Sequence, residues 1–208
     1  MYWQNKIKMI NIFWRFAKKI KYLLCDATCK CGFLRYVKGC GNVEKRDLYN
    51  SKRQLTSEYI YANENVPDNR YILIVAIFIQ NNKGHFLIQK RSEIKGGKWA
   101  TTGGHPKRGE DSLTGICTEV KEEIGYDITP YKDKIYLFKS VQGKNSFCDL
   151  YYLNVDININ ELTLQKEEVT DIKWSSIEEI QNLIDNNEFH KTHAEMYKDC
   201  LKYLKSKE

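Results

Sequence analysis

Residues 104–126 read GHPKRGEDSLTGICTEVKEEIGY (Gly104–Tyr126), and this stretch decides the fold. At 100° per residue, Leu113, Ile116, Cys117, Val120 and Ile124 fall within one arc of about 100°. That spacing predicts a helix over Ser112–Ile124 with this arc in the core, closed by Gly125. Glu119, Glu122 and Glu123 fall on the opposite side, within another arc of about 100°. Like charges three and four residues apart repel by about a few tenths of a kcal/mol per pair. They also sit near the negative end of the helix dipole. A solvated acidic face is the plain reading of three glutamates alone. A divalent cation is the other, because hard carboxylate oxygens at helical spacing suit Mg²⁺ or Mn²⁺.

The flanking residues favour the cation. Gly104 is followed by five residues and Glu110, then seven residues, then Thr118-Glu119-Val120-Lys121-Glu122-Glu123-Ile124-Gly125-Tyr126. This resembles the Nudix box, G-x5-E-x7-R-E-U-x-E-E-x-G-U, where U is a bulky aliphatic residue. The resemblance extends over about residues 46–204. It includes Trp99 before paired glycines, the Gly109-Glu110 dipeptide, and Glu168-Val169 with Trp174. It implies an α/β fold: an α/β/α sandwich with a mixed central sheet, the box helix on one side and C-terminal helices on the other. It also implies a Mg²⁺-dependent (or Mn²⁺-dependent) hydrolase of a small-molecule diphosphate. Glu119, Glu122, Glu123 and the Gly104 backbone are the implied metal ligands. Glu119, Glu122 and Glu168 form the implied catalytic set, with Glu119, Glu167 and Glu168 as candidates for the general base. Glu110 is expected to brace the loop and the helix start.

Three positions depart from the pattern. Thr118 stands where the box has an arginine that holds a catalytic glutamate, and a threonine is uncharged and too short for the same contact. Tyr126 replaces the last aliphatic residue. Gly115 sits mid-helix, at a cost of about 1 kcal/mol of helix propensity, and allows close backbone approach. Thr118 motivates an alternative reading, a catalytically weak diphosphate-binding or regulatory domain. The Trp99–Pro106 segment also resembles isopentenyl-diphosphate isomerases. Those enzymes carry paired cysteines there, one of them catalytic, and here glycines occupy the place. The chain therefore looks like the isomerase-like bacterial hydrolases rather than an isomerase.

Outward from the box, the pattern alternates strands and helices. Tyr71–Gln80 and His85–Arg91 read as a hairpin around Asn81-Asn82-Lys83-Gly84. Lys134–Val141, Cys148–Ile157 and Ile172–Trp174 read as strands, and Ser176–Ile184 and His190–Leu204 as helices. Arg91, Lys98, Lys107 and Arg108 are candidate phosphate donors. Phe147 and Tyr151 are candidates for base stacking or for the core.

The 208 residues suit one domain and a short appendage, divided near residue 44. Residues 1–43 carry nine Lys/Arg and one acid, while the rest carry 24 basic and 26 acidic residues. The net +6 is thus the property of one segment, and nucleic acid is not an expected partner. Residues 3–24 read as a basic amphipathic helix, with Ile10, Phe13, Ala17, Ile20 and Leu24 on one face, fit for peripheral membrane contact. Cys25, Cys29, Cys31 and Cys40 follow, without the paired C-x2-C spacing of a zinc site. Seven cysteines, an odd number, point to reduced thiols and a cytoplasmic location. The family resemblance adds a homodimer as a frequent arrangement.

Overall fold

A computed structural model describes residues 43–207. The basic helix expected over residues 3–24, its membrane contact and the four cysteines between 25 and 40 lie outside them. Among the described residues no helix is long and apolar enough to cross a membrane.

The centre is β3 (Ile72–Gln80), which pairs in parallel with β8 (Ser146–Asn154) over nine residues, from Ile72↔Ser146 to Gln80↔Asn154. β3 is apolar almost throughout because both of its faces are covered. Leu73, Val75, Ile77 and Ile79 face α1 (Ser112–Ile124), meeting Ile116, Cys117, Val120 and Ile124. Phe78 faces the other way, against Ile180 of α2 (Ile177–Asp185) and Ala194, Tyr197 and Cys200 of α3 (Lys191–Lys205). The period of two in the strand thus divides the core into two layers, one per face. The result is the expected α/β/α sandwich around a mixed sheet.

The outer strands are β4 (Phe86–Arg91), β7 (Tyr136–Gln142), antiparallel to β8, and β9 (Val169–Ser175), antiparallel to β4. Each predicted strand exists, with ends shifted by up to three residues. The expected β3–β4 hairpin has an unexpected form. The two strands pair only at Gln80↔Phe86 and then splay apart. The chain from 99 to 104 enters the gap. β5 (Trp99–Ala100) pairs with β4, and β6 (Thr102–Gly104) pairs with Val75–Ile77 of β3. This inserted segment carries Gly103 and Gly104 to the sheet centre beneath α1.

A second, two-stranded sheet precedes the main one: β1 (Lys45–Tyr49) antiparallel to β2 (Leu55–Tyr61). Leu48 and Ile60 pack on Ile72. The hairpin turn projects Arg53 onto Asp149 of β8, whose side chain is fully enclosed. Arg53 Nη1 donates to Asp149 Oδ1 at 2.8 Å, and Nη2 pairs with the other carboxylate oxygen. Ser112 and Ser140 hydroxyls complete the carboxylate's shell. Burial pushes Asp149 upward, but these three hydrogen-bond partners pull it below the usual carboxylate range.

Candidate active site

α1 starts at Asp111, whose side chain accepts the Thr114 N–H at 2.7 Å, and ends at Gly125 in the left-handed conformation (φ 72°). Between those caps the three glutamates of the second half meet different surroundings. Glu119 is half-buried, and its Oε1 accepts the backbone N–H of His105 at 2.9 Å. Gly104 lies directly under this carboxylate. A Cβ there would stand 2.5 Å from the Glu119 carboxyl carbon, so only glycine admits the side chain. Glu122 is exposed and ion-paired with Lys107.

Glu123 differs from the expectation of a solvent-facing position: it is 6% exposed. The helix itself supplies the reason. Glu123 is seven residues past Ile116, only about 20° away around the axis, so it borders the core face rather than opposing it. Its Oε2 accepts Gln89 Nε2 at 2.7 Å, and Gln89 Oε1 in turn accepts the Thr102 hydroxyl at 2.9 Å. Glu168 is its carboxylate neighbour from the loop before β9.

Burial dominates the electrostatics. Desolvation, with the charges of Glu123, Glu44 and Glu122 adding to it, pushes Glu119 up to about 8. Desolvation also raises Glu123; Gln89 offsets part of this and the charge of Glu168 reinforces it. His105 is pushed down to about 4, first by burial and then by Arg46 and Lys95, so its imidazole is neutral. Two carboxyl groups are therefore largely desolvated beside further carboxylates, with neutral hydrogen-bond partners and, among the described residues, no paired cation. Such an arrangement is costly until a positive charge enters it.

Among the described residues, no three metal-ligating side chains already surround one point. Glu122 is turned to Lys107. The donors themselves fit a hard divalent ion: carboxylate oxygens, a backbone floor at Gly104, and uncompensated negative charge.

The remaining predicted residues fall as follows. Glu168 comes to the site, ion-paired with Lys95 at 3.0 Å. Glu167 is exposed, and its carbonyl accepts the Ser92 hydroxyl at 2.8 Å. Glu110 braces the loop, accepting the Lys107 N–H at 2.8 Å. Its other oxygen accepts the Thr118 hydroxyl at 2.8 Å. The threonine thus joins α1 to the bracing Glu110 rather than to Glu119, Glu122 or Glu123. Lys98 bonds Asn187, Arg91 bonds the Lys95 carbonyl, and Arg108 faces Asp47. Phe147 and Tyr151 are both core residues, with Phe147 stacked on Tyr71 at 5.0 Å. Cys117 is buried in the core, as its helical position predicts.

Gln89, Thr102 and His105 belong to the site and were not among its predicted members. A glutamine inside the apolar run FLI–Q was the available signal for the first, since a buried amide needs a partner.

A family model for the NUDIX domain matches residues 70–200. The chain belongs to the Nudix family. An uncharacterized Nudix hydrolase of Listeria monocytogenes is 32% identical over 154 residues, covering 71% of this chain and 88% of the relative. Isopentenyl-diphosphate Delta-isomerase 2 of Photorhabdus laumondii is 30% identical over 117 residues, covering 53% of this chain and 66% of that protein. A crystal structure from Deinococcus radiodurans aligns at a TM-score of 0.59 and 20% identity, covering 74% of this chain and 98% of that one, which speaks for the fold alone. Nudix membership makes the chain a pyrophosphohydrolase in general terms, of a family that generally uses divalent metal ions.

Proposed function

We propose that this Nudix protein hydrolyses the P–O–P linkage of a small-molecule diphosphate, with Mg²⁺ or Mn²⁺ as the ion. The observation that carries the reading is the pair of desolvated glutamates on one helix, Glu119 lying over Gly104 and Glu123 held by Gln89. A substrate that is itself polyanionic cannot approach such a cluster unless positive charge intervenes. Glu119, Glu122, Glu123 and the Gly104 carbonyl would hold the ion. That ion, when bound, supplies charge neutralisation between the carboxylates and the phosphate oxygens.

The chain's own residues do the rest. Glu168 stands at the edge of the cluster, on a loop fixed by the Ser92 N–H donating to the Glu168 carbonyl at 2.7 Å. It takes a proton from the attacking water as the new P–O bond forms and the bridging P–O bond breaks. Gln89 and Thr102 hold Glu123 in one orientation, and the His105 N–H does so for Glu119. Glu110 and Thr118 tie the loop to α1 and fix the distance between Gly104 and Glu119.

The test is release of phosphate or nucleotide from a panel of diphosphate metabolites, with Mg²⁺ and Mn²⁺ added separately. Turnover is expected to require the ion and to fall about 100-fold or more in Glu119→Gln. Absence of turnover across the panel, with a diphosphate still bound, would replace the hydrolase by a ligand-binding domain.

A further inference from the structure

β1 runs beside the box loop and is fastened to it. The Arg108 N–H donates to the Lys45 carbonyl at 2.8 Å, and the Gly109 N–H donates to the Asp47 carboxylate at 2.7 Å. Strand alternation then sorts the side chains. Lys45 turns outward, 4.7 Å above the Tyr59 ring. Arg46 shares its side of the strand with Leu48, which is in the core. The Arg46 side chain is only 21% exposed. The His105 N–H, three residues before Arg108 in the same loop, holds Glu119. The two ties of β1 to Arg108 and Gly109 therefore set its leading end beside the loop that carries Gly104 and His105, at the rim of the carboxylate cluster.

The cations around this rim are not equivalent. Lys107 is taken by Glu122, Lys95 by Glu168 at 3.0 Å, and Lys98 by Asn187 at 2.7 Å. Arg108 is stacked 4.2 Å over Tyr59 and faces Asp47. Arg46 is tied only through Nε, to Glu44 at 3.5 Å. Among the described residues its two terminal nitrogens have no hydrogen-bond partner. An enclosed guanidinium with its fork free suits a planar or tetrahedral oxyanion that takes two parallel bonds.

We propose that Arg46 binds the substrate phosphate that faces away from the box carboxylates, and so selects ligands with two linked phosphoryl groups over those with one. This rests on the reading of the site as a diphosphate hydrolase. The carboxylate side accommodates one face of the diphosphate through the divalent ion, and the fork of Arg46 supplies direct charge to oxygens on the other. A single phosphate satisfies one side only. The selectivity then comes from β1, a strand outside the box altogether.

The probe is imidodiphosphate, whose P–N–P bridge resists hydrolysis, titrated calorimetrically into the full chain in Mg²⁺. Wild type, Arg46→Met and Arg46→Lys proteins are compared, with inorganic phosphate as the single-phosphoryl control. Arg46→Met is expected to lose about 10-fold or more in imidodiphosphate affinity, while phosphate affinity changes less. Arg46→Lys regains only part, because a point charge lacks the fork. Mg²⁺ affinity without the ligand is expected to stay within about twofold, since Arg46 touches no proposed metal ligand. In turnover the loss appears in KM more than in kcat.

Wild-type affinity in Arg46→Met overturns the proposal. Should that variant fail to fold, wild-type affinity in Arg46→Lys overturns it instead. Wild-type protein that ignores imidodiphosphate in Mg²⁺ brings down the hydrolase reading and this proposal together, a pattern distinct from failure of the variants alone.

Discussion

Buried carboxylates meet both ends of α1, and the two ends treat them oppositely. At the first turn, Asp149 is fully enclosed and receives a guanidinium and two hydroxyls. It is held below the usual carboxylate range, so its charge is secured. In the second half, Glu119 and Glu123 are desolvated among other acids and accept only neutral donors, and both are pushed up. Asp149 and Glu123 are both buried, at 0% and 6% exposure, so burial does not mark a site by itself. What separates scaffold from site is whether the fold has supplied the opposite charge. Among the described residues Asp149 is paired with Arg53, while Glu119 and Glu123 accept a backbone N–H and a side-chain amide.

The largest expected effect follows from breaking the satisfied end. Asp149→Ala strands Arg53 and two hydroxyls and should cost about 3 kcal/mol or more of unfolding free energy. Glu123→Gln removes a charge that the metal-free fold does not compensate, and should leave stability unchanged or higher. Urea unfolding of both variants in chelator reads the difference. Equal destabilisation by the two substitutions would mean that the box carboxylates are scaffold as well.

A smaller effect sharpens the same contrast through pH. Glu119 binds its proton more tightly in the folded state than its ordinary 4.5. This carboxyl therefore holds more proton in the folded than in the unfolded chain between about pH 5 and 8, and its contribution to stability falls as pH rises through that window. Asp149 has the reverse sign, stabilising above its ordinary range and losing that contribution on acidification. His105, pushed down to about 4, opposes the Glu119 contribution below about pH 6.5, so in chelator Tm should decline between about pH 7 and pH 8, and millimolar Mg²⁺ should flatten the decline. A flat profile without metal would place Glu119 in water.

Much of this was legible in the sequence, and unevenly. α1 was readable to the residue because periodicity and a closing glycine agree. β3 was readable as a doubly covered strand from its apolar run. β1 and β2 were not, because of their 12 residues only Leu48 and Ile60 are buried, too few for a period. With the hairpin unread, Arg46 was not a candidate. β5 and β6 were hidden for another reason. They form only where β3 and β4 splay, a long-range condition no local pattern encodes. The burial of Glu123 lay between these cases, since its place beside Ile116 was in the wheel, while Gln89 and Glu168 arrive from other strands and loops.

Gly115 sets the smallest effect, where two local terms of similar size compete. Replacing it by alanine should gain about 1 kcal/mol of helix propensity in the middle of α1. The added Cβ would stand 2.5 Å from Cγ and 2.6 Å from Cβ of Pro106, which is buried. Neither atom is at the end of a flexible chain, so the loop itself has to move, and overpacking of this kind costs about 1–3 kcal/mol. The net expectation for Gly115→Ala is a loss of about 1 kcal/mol. The sequence neighbour matters more than the sum, because Pro106 follows His105, and the His105 N–H is what holds Glu119. The loop shift should therefore lower turnover and Mg²⁺ affinity several-fold, out of proportion to the stability change. A Gly115→Ala protein that is more stable and fully active would show that helix propensity outweighs the Pro106 contact, and that Glu119 is positioned from its own helix rather than from the loop beneath it.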